Sequence, residues 1–211
     1  MASNMRKTAA APELEWAPSN RNRFGTNGVH GSRQRSALTG VSSDARCIKT
    51  LTLIRHAKSN WKYPALADAD RPLSNRGRRE AAVMGRVLAE RGFRPDRWLS
   101  SPALRALRTT EVVAGAIGWT LSRIVLEHRL YEHSSEQLLA LLRALEDDAT
   151  WVVCVGHNPE LTDLANRLAS KKLEKLPTCG VLEMRFAMGR WQVLGESEPL
   201  SVMLDFPEYH N

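Results

Sequence analysis

Cysteine, long apolar runs and internal repeats are all scarce or missing in this 211-residue chain, and each scarcity narrows what it can be. The three cysteines, Cys47, Cys154 and Cys179, are odd in number and widely spaced, with no C-x-x-C pair. That argues against a disulfide framework and a structural zinc site, and it suits a reducing compartment. Cys154 lies within an apolar run and reads as a core residue. No apolar run approaches the roughly 20 residues that span a membrane, and the first residues lack the continuous apolar core of a secretory signal. Basic patches interleaved with aromatics are missing too. The net charge of +7 and the pI near 9.7 therefore do not by themselves imply nucleic acid.

Part of that charge is concentrated at one end. Residues 1–46 carry seven Lys or Arg against three Asp or Glu, a net of +4, leaving +3 for the remainder. This stretch is rich in Ala, Ser, Asn, Gly and Arg without sustained periodicity, so it is expected to be a disordered extension. Its Arg and Ser content fits an organelle transit segment, while Glu13, Glu15 and Trp16 count against one. The expectation is a single globular domain over residues 47–211 in the cytoplasm, with organelle import through residues 1–46 as the alternative. Composition agrees, at 43% hydrophobic and 25% charged.

What is present is a repeated local design. Leu51-Thr-Leu-Ile54 is a short apolar run that ends in Arg55-His56 and a polar loop, which reads as a buried strand. Trp151-Val-Val-Cys-Val155 is another, followed by Gly156-His157-Asn158-Pro159. Here Asn158 is expected as N-cap and Pro159 at the first helical position. Between them, Trp98-Leu-Ser-Ser-Pro-Ala-Leu-Arg105 again passes from strand to helix, with Ser101 expected as N-cap. Arg105 then lies in the first turn, where a cation opposes the helix dipole and a nearby anion would relieve the cost.

Three strand ends thus carry two His and two Arg and no carboxylate. Ligands of open α/β sheets bind at such ends. The set is poor for metal and suited to a dianion, because Arg offers planar paired donors for phosphate oxygens. Nearby cations push a His pKa down, leaving a neutral imidazole free to act as nucleophile. One His would attack phosphorus while the other and the two Arg stabilise the equatorial oxygens.

These segments resemble the histidine phosphatase superfamily, the phosphoglycerate-mutase-like group, and within it the short SixA-type branch associated with phosphohistidine phosphatase activity. The resemblance rests on Arg55-His56-Ala57, Ser100-Ser-Pro-Ala-Leu-Arg105-Ala and Gly156-His157-Asn158-Pro159, in that order. Asp70-Arg-Pro-Leu-Ser-Asn-Arg-Gly77, Arg129-Leu-Tyr-Glu132 and Pro177-Thr-Cys-Gly180 agree with it, so it spans roughly Lys49 to Trp191. It implies a three-layer α/β sandwich with a mostly parallel sheet, His56 as the nucleophile, and a phosphate pocket completed by Arg55, Arg105 and His157, with Asn158 and Ser59 as further contacts. No cofactor or metal is implied. The substrate would be a phosphorylated protein histidine or a small phosphorylated metabolite.

Two positions depart from the wider group. Many relatives have Arg-His-Gly-Glu where this chain has Arg55-His56-Ala57-Lys58, and Lys58 reads as a solvated loop residue or a phosphate contact. Esterase and mutase relatives use a carboxylic acid in a Leu-x-Glu setting to protonate the leaving oxygen. Glu132 has that spacing, Glu127 is a competitor, and either can be a surface carboxylate. Imidazole, with a conjugate-acid pKa of about 6.5, leaves with less help than an alkoxide. The open question of the acid therefore favours phosphoramidates over a small-molecule phosphate-ester phosphatase. A mutase would need a competent acid and pocket-closing elements. A non-catalytic phosphate-binding module would not require a free nucleophile.

The frame is expected to include a helix from Ser74 to about Arg91, ended by Gly92, with Ala81, Met84, Val87 and Leu88 facing inward. Ser134-Ser-Glu-Gln137 reads as a capping box before a leucine stripe through Leu145. Ile124–Leu126 reads as a short strand, and Val181–Phe186 with Trp191–Leu194 as a terminal strand pair. His128 and His133 are expected to be solvated loop residues.

Overall fold

The computed structural model describes residues 47–210, so the reading of residues 1–46 as an extension lies outside the described residues. A six-stranded sheet forms the centre. Its strands are β1 (Ile48–Arg55), β2 (Arg97–Ser100), β3 (Ile124–Leu126), β4 (Trp151–Gly156), β5 (Val181–Ala187) and β6 (Ser201–Asp205), in the order β3-β2-β4-β1-β5-β6. The first four in that order run parallel, while β5 and β6 join antiparallel. Helices α1 (Asn75–Glu90), α2 (Leu104–Ala116), α3 (Arg129–Glu132), α4 (Ser135–Arg143) and α5 (Glu160–Leu168) occupy the connections.

Alternation along the central strands divides the core in two. Leu51 and Leu53 of β1 and Val152 and Cys154 of β4 pack in one cluster with the leucines of α4 and α5 and with Trp191. Ile54, Val153 and Val155 belong to the other, with Ala81, Met84 and Leu88 of α1, Val113 of α2, and Trp98. Period-two alternation is what sends neighbouring residues to opposite faces. Both faces are covered, as strands that are apolar throughout require, so the sheet is the middle layer of three.

Several boundaries follow the local chemistry read above. Ser74 caps α1, its side chain accepting from the Gly77 N–H at 3.0 Å, and Gly92 takes a left-handed φ of +69° just past the C-cap. Ser134 and Gln137 form the expected reciprocal box at α4. Gly77 has a further reason to be glycine. A Cβ there would lie 2.2 Å from the Lys58 carbonyl oxygen, so α1 can press against the loop after His56 only without a side chain. Ser74 secures that contact by donating to the same carbonyl from both N (2.8 Å) and Oγ (3.0 Å).

Other boundaries differ from expectation. Trp191–Val193 is a 3-10 turn rather than a strand, and the partner of β5 is β6. Trp191 is fully buried, its indole N–H donating to the Ala149 carbonyl and its backbone N–H to Asp147 Oδ1, at 2.8 Å each. Those bonds draw the segment into the core instead of along the sheet. Ser101 does not cap α2, which begins at Leu104 after Ala103, and Asn158 does not cap α5, which begins at Glu160 after Pro159. In both cases the side chain is engaged elsewhere. Among the described residues, no helix is long and apolar enough to cross a membrane.

Candidate active site

Strands β2, β4 and β1 are adjacent and parallel, so their carboxyl ends open at one edge of the sheet. In register, Arg55 stands opposite Gly156 and Ser100 opposite Val155. The next residues along, His56, His157 and Ser101, therefore come together. The chain is fixed there by backbone bonds from His56 N to Gly156 O (3.0 Å) and from Ser101 N to Val155 O (2.9 Å). The two imidazoles lie 4.9 Å apart, centroid to centroid, at 50°.

Hydrogen bonding sorts the nitrogens of each ring. His56 Nδ1 lies 2.8 Å from the Ala57 carbonyl, which can only accept, so Nδ1 carries the proton and Nε2 keeps its lone pair. His157 Nε2 lies 2.9 Å from Ser101 Oγ. Ser101 Oγ accepts from the Ala103 N–H at 3.2 Å, and donating its own hydrogen to Nε2 uses the buried hydroxyl in both roles. His157 is then protonated on Nδ1, which is buried and has no partner. Side by side stand a free lone pair and a free N–H. Thr109 supports the loop after His56: its hydroxyl accepts from Ala57 N at 3.0 Å and donates to Arg105 O at 2.7 Å.

Both rings are neutral at physiological pH. Burial, then the charges of Arg105, Arg55 and Arg71, push His56 down to about 4, against a raising effect from the bond to Ala57. Burial, His56 and the same first two arginines take His157 down to about 3. Burial also lowers both Arg55 and Arg105 from the usual guanidinium value. Arg55 donates through Nη1 to the Leu176 carbonyl at 2.9 Å, and its Nε is buried without a partner. Asn158 donates to the same carbonyl at 3.0 Å and leaves Oδ1 buried and unpartnered.

The remaining candidates fall around this centre. Ser59 forms an isolated β-bridge with Leu73, and the Lys58 side chain is exposed. Glu132 ends α3 with an exposed side chain. Glu127 is held by Arg129 through two side-chain bonds of 2.9 Å, and those bonds keep its carboxyl below the usual range. It is thus held in its ionised form and poorly suited to carry a proton for a leaving group. Burial raises Glu183, but that residue sits within the sheet opposite Thr52, away from the strand ends. His128 is exposed, as expected; His133 is half-buried, with Nδ1 enclosed and unpartnered.

Four participants were not singled out for the site by sequence. Ser101 and Thr109 reach it through tertiary bonds. Tyr131 packs its ring 5.5 Å from His157 and 5.8 Å from the Arg105 guanidinium. Asp68 binds Arg105 twice, the carbonyl accepting from Nη1 at 2.6 Å and Oδ2 from Nη2 at 2.7 Å. Two signals point to them: Ser101 lies inside Ser100-Ser-Pro-Ala-Leu-Arg105-Ala, and Tyr131 inside Arg129-Leu-Tyr-Glu132. Among the described residues, no three His, Cys, Asp or Glu are grouped to hold a metal ion.

An α/β sheet that gathers two neutral imidazoles and two guanidinium groups at the ends of parallel strands defines a pocket for an oxyanion. The histidine phosphatase superfamily (branch 1) model matches residues 51–143. A protein of Mycobacterium tuberculosis (strain H37Rv) is 35% identical over 152 residues, 65% of this chain and 89% of that one. The chain belongs to the histidine phosphatase superfamily, whose members are phosphatases or phosphomutases.

Within the superfamily it is similar to SixA-type proteins. The structure of a candidate phosphohistidine phosphatase SixA from Agrobacterium tumefaciens matches with a TM-score of 0.63 and 28% identity, over 74% of this chain and 97% of that one. The protein histidine phosphatase SixA complexed with tungstate matches with a TM-score of 0.66 at 21% identity, over 77% and 99%, and so shares the fold.

Proposed function

We propose that the protein is a cofactor-independent phosphatase that hydrolyses phosphohistidine on a protein, or a related small phospho-compound, through a covalent intermediate on His56. The observation that carries this reading is the His56–His157 pair, 4.9 Å apart, with one ring offering a free Nε2 and the other a free Nδ1–H. His56 Nε2 attacks phosphorus, and the bond to the leaving group breaks. Arg55, Arg105 and the His157 Nδ1–H receive the charge on the equatorial oxygens. Water then attacks the phosphorus, the P–N bond to His56 breaks, and orthophosphate leaves.

The weak case for a general acid supports a phosphoramidate substrate. Glu127 is tied to Arg129 and Glu132 is exposed, whereas an imidazole leaving group with a conjugate-acid pKa of about 6.5 needs little protonic help. A SixA-type neighbour at 28% identity, named as a candidate phosphohistidine phosphatase, agrees with this. One observation favours the second reading, a small phosphate ester. An open groove of about 560 Å³, lined by Tyr63, Pro64, Leu66, Pro72 and Leu104 among others, lies beside Arg71 and Arg105 in the chain and offers an apolar wall to a compact leaving group. The free thiols at Cys47, Cys154 and Cys179 fit work in a reducing compartment.

The test is kcat/KM on a phosphohistidine peptide, beside p-nitrophenyl phosphate and a panel of small phosphorylated metabolites, with His56→Ala as control. A clear preference for the peptide supports the first reading. Preference for a metabolite ester moves the function to the second.

A further inference from the structure

Arg105 is already occupied by an anion. The Asp68 carboxylate and carbonyl take one N–H from each terminal nitrogen of its guanidinium, at 2.7 and 2.6 Å. The same carboxylate is held from two further sides. Tyr131 Oη donates to Oδ2 at 3.0 Å, and Arg71 pairs with Oδ1 while its guanidinium stacks 3.7 Å over the Trp61 ring. Asp68 lies in a 3-10 turn, Asp68–Asp70, within the segment joining β1 to α1. Its side chain is 44% exposed, against 10% for Arg105. The buried partner is thus fixed and the exposed one can withdraw.

We propose that Asp68 is a resident anion of the phosphate pocket, which sets oxyanion affinity because a phosphoryl group must displace it from Arg105. The proposal rests on the phosphatase reading above and adds to it a residue outside the histidine–arginine set. The Arg105 guanidinium lies 5.8 Å from the Tyr131 ring, which packs 5.5 Å from His157, so it stands beside the histidine pair. Its paired donors match one planar anion at a time. An incoming phosphoryl group therefore competes with the carboxylate, and observed affinity falls by the fraction of protein in which Arg105 is free. A substrate offsets that cost with contacts from its leaving group. Bare orthophosphate has none to offer, so the same factor leaves it weakly held while a substrate keeps useful affinity.

The experiment is calorimetric titration of the full chain with orthophosphate and with tungstate, in the parent, Asp68→Asn and Tyr131→Phe. Asp68→Asn removes the competing charge and should tighten both oxyanions by about tenfold or more, as expected if Arg105 is free in about a tenth of the parent molecules. Tyr131→Phe keeps the ring against His157 but removes one donor to Oδ2, and should tighten them by a smaller factor. Unchanged or weaker binding in both variants, with parent-like melting temperatures, would overturn the proposal and make Asp68 an orienting partner of Arg105. If Asp68→Asn does not fold, the direction seen in Tyr131→Phe decides. Failure of the parent and both variants alike to bind either oxyanion would overturn the phosphate-pocket reading itself, and this inference with it.

Discussion

Replacing Ser101 by alanine removes a hydroxyl that is fully buried, accepts from Ala103 N at 3.2 Å and meets His157 Nε2 at 2.9 Å. Two buried polar groups lose their partner, and a buried group left unsatisfied costs about 1–3 kcal/mol. For a domain of this size each kcal/mol lowers the melting temperature by about 2–4 °C, so a fall of several degrees is expected. The catalytic consequence is separate. With Ser101 donating to Nε2, His157 is held as the Nδ1–H tautomer. Without it the proton is free to sit on either nitrogen and the ring is free to tilt. Losing an oxyanion donor outright costs about 10²–10³ in kcat, and a donor retained but no longer fixed should cost about 10- to 100-fold. KM should change little, because the two arginines still hold the phosphoryl group. The assay is kcat and KM on p-nitrophenyl phosphate beside a thermal melt of the same preparation. A lower melting temperature with kcat within about twofold of the parent would refute the tautomer argument and leave Ser101 as packing alone.

Other consequences can be checked independently. Arg105→Ala should lower kcat/KM by about 10²-fold or more, since it removes paired donors aimed at developing charge; a change under threefold would place the phosphoryl group elsewhere. His56 and His157, at about 4 and about 3, both lie below the ordinary value of about 6.5. The unfolded chain then binds more protons between those values, so stability is fully present above about pH 6.5 and declines as pH falls toward 4. In an NMR titration both rings should remain neutral at about pH 5.5, and a site histidine titrating near 6.5 would contradict the burial argument. Glu132→Gln should leave phosphohistidine turnover within about twofold, and a tenfold loss on that substrate would make Glu132 the proton donor.

The frame and the site differ in how much of them is local. Ser74, Gly92 and the Ser134–Gln137 box act within a few residues, so their sequence spacing carries the structure directly. His56 and His157 were legible for a similar reason, since an apolar run ending in a polar residue puts that residue at a strand's carboxyl end. What escaped depends on contacts far along the chain. Ser101 has the sequence of a helix cap, yet its hydroxyl is drawn to His157, 56 residues away. Asn158 likewise turns to Leu176. Trp191 carries strand-like neighbours, but an indole N–H that finds Ala149 and a backbone N–H that finds Asp147 gain more from the core than from the sheet edge. Asp68 is one carboxylate in an acidic loop until the fold brings it 37 residues along to Arg105. It lies two residues before the Asp70-Arg-Pro-Leu segment, and no local pattern marks it.

The central claim is that His56 Nε2 carries the phosphoryl group during turnover, and trapping tests it most directly. Rapid acid-free denaturation of the protein mixed with substrate, followed by peptide mass spectrometry, should find a phosphorylated peptide containing His56, stable in base and labile in acid. His56→Ala should give no labelled peptide and no turnover. Turnover that persists in His56→Ala, or a phosphoryl group trapped on another residue, would contradict the mechanism.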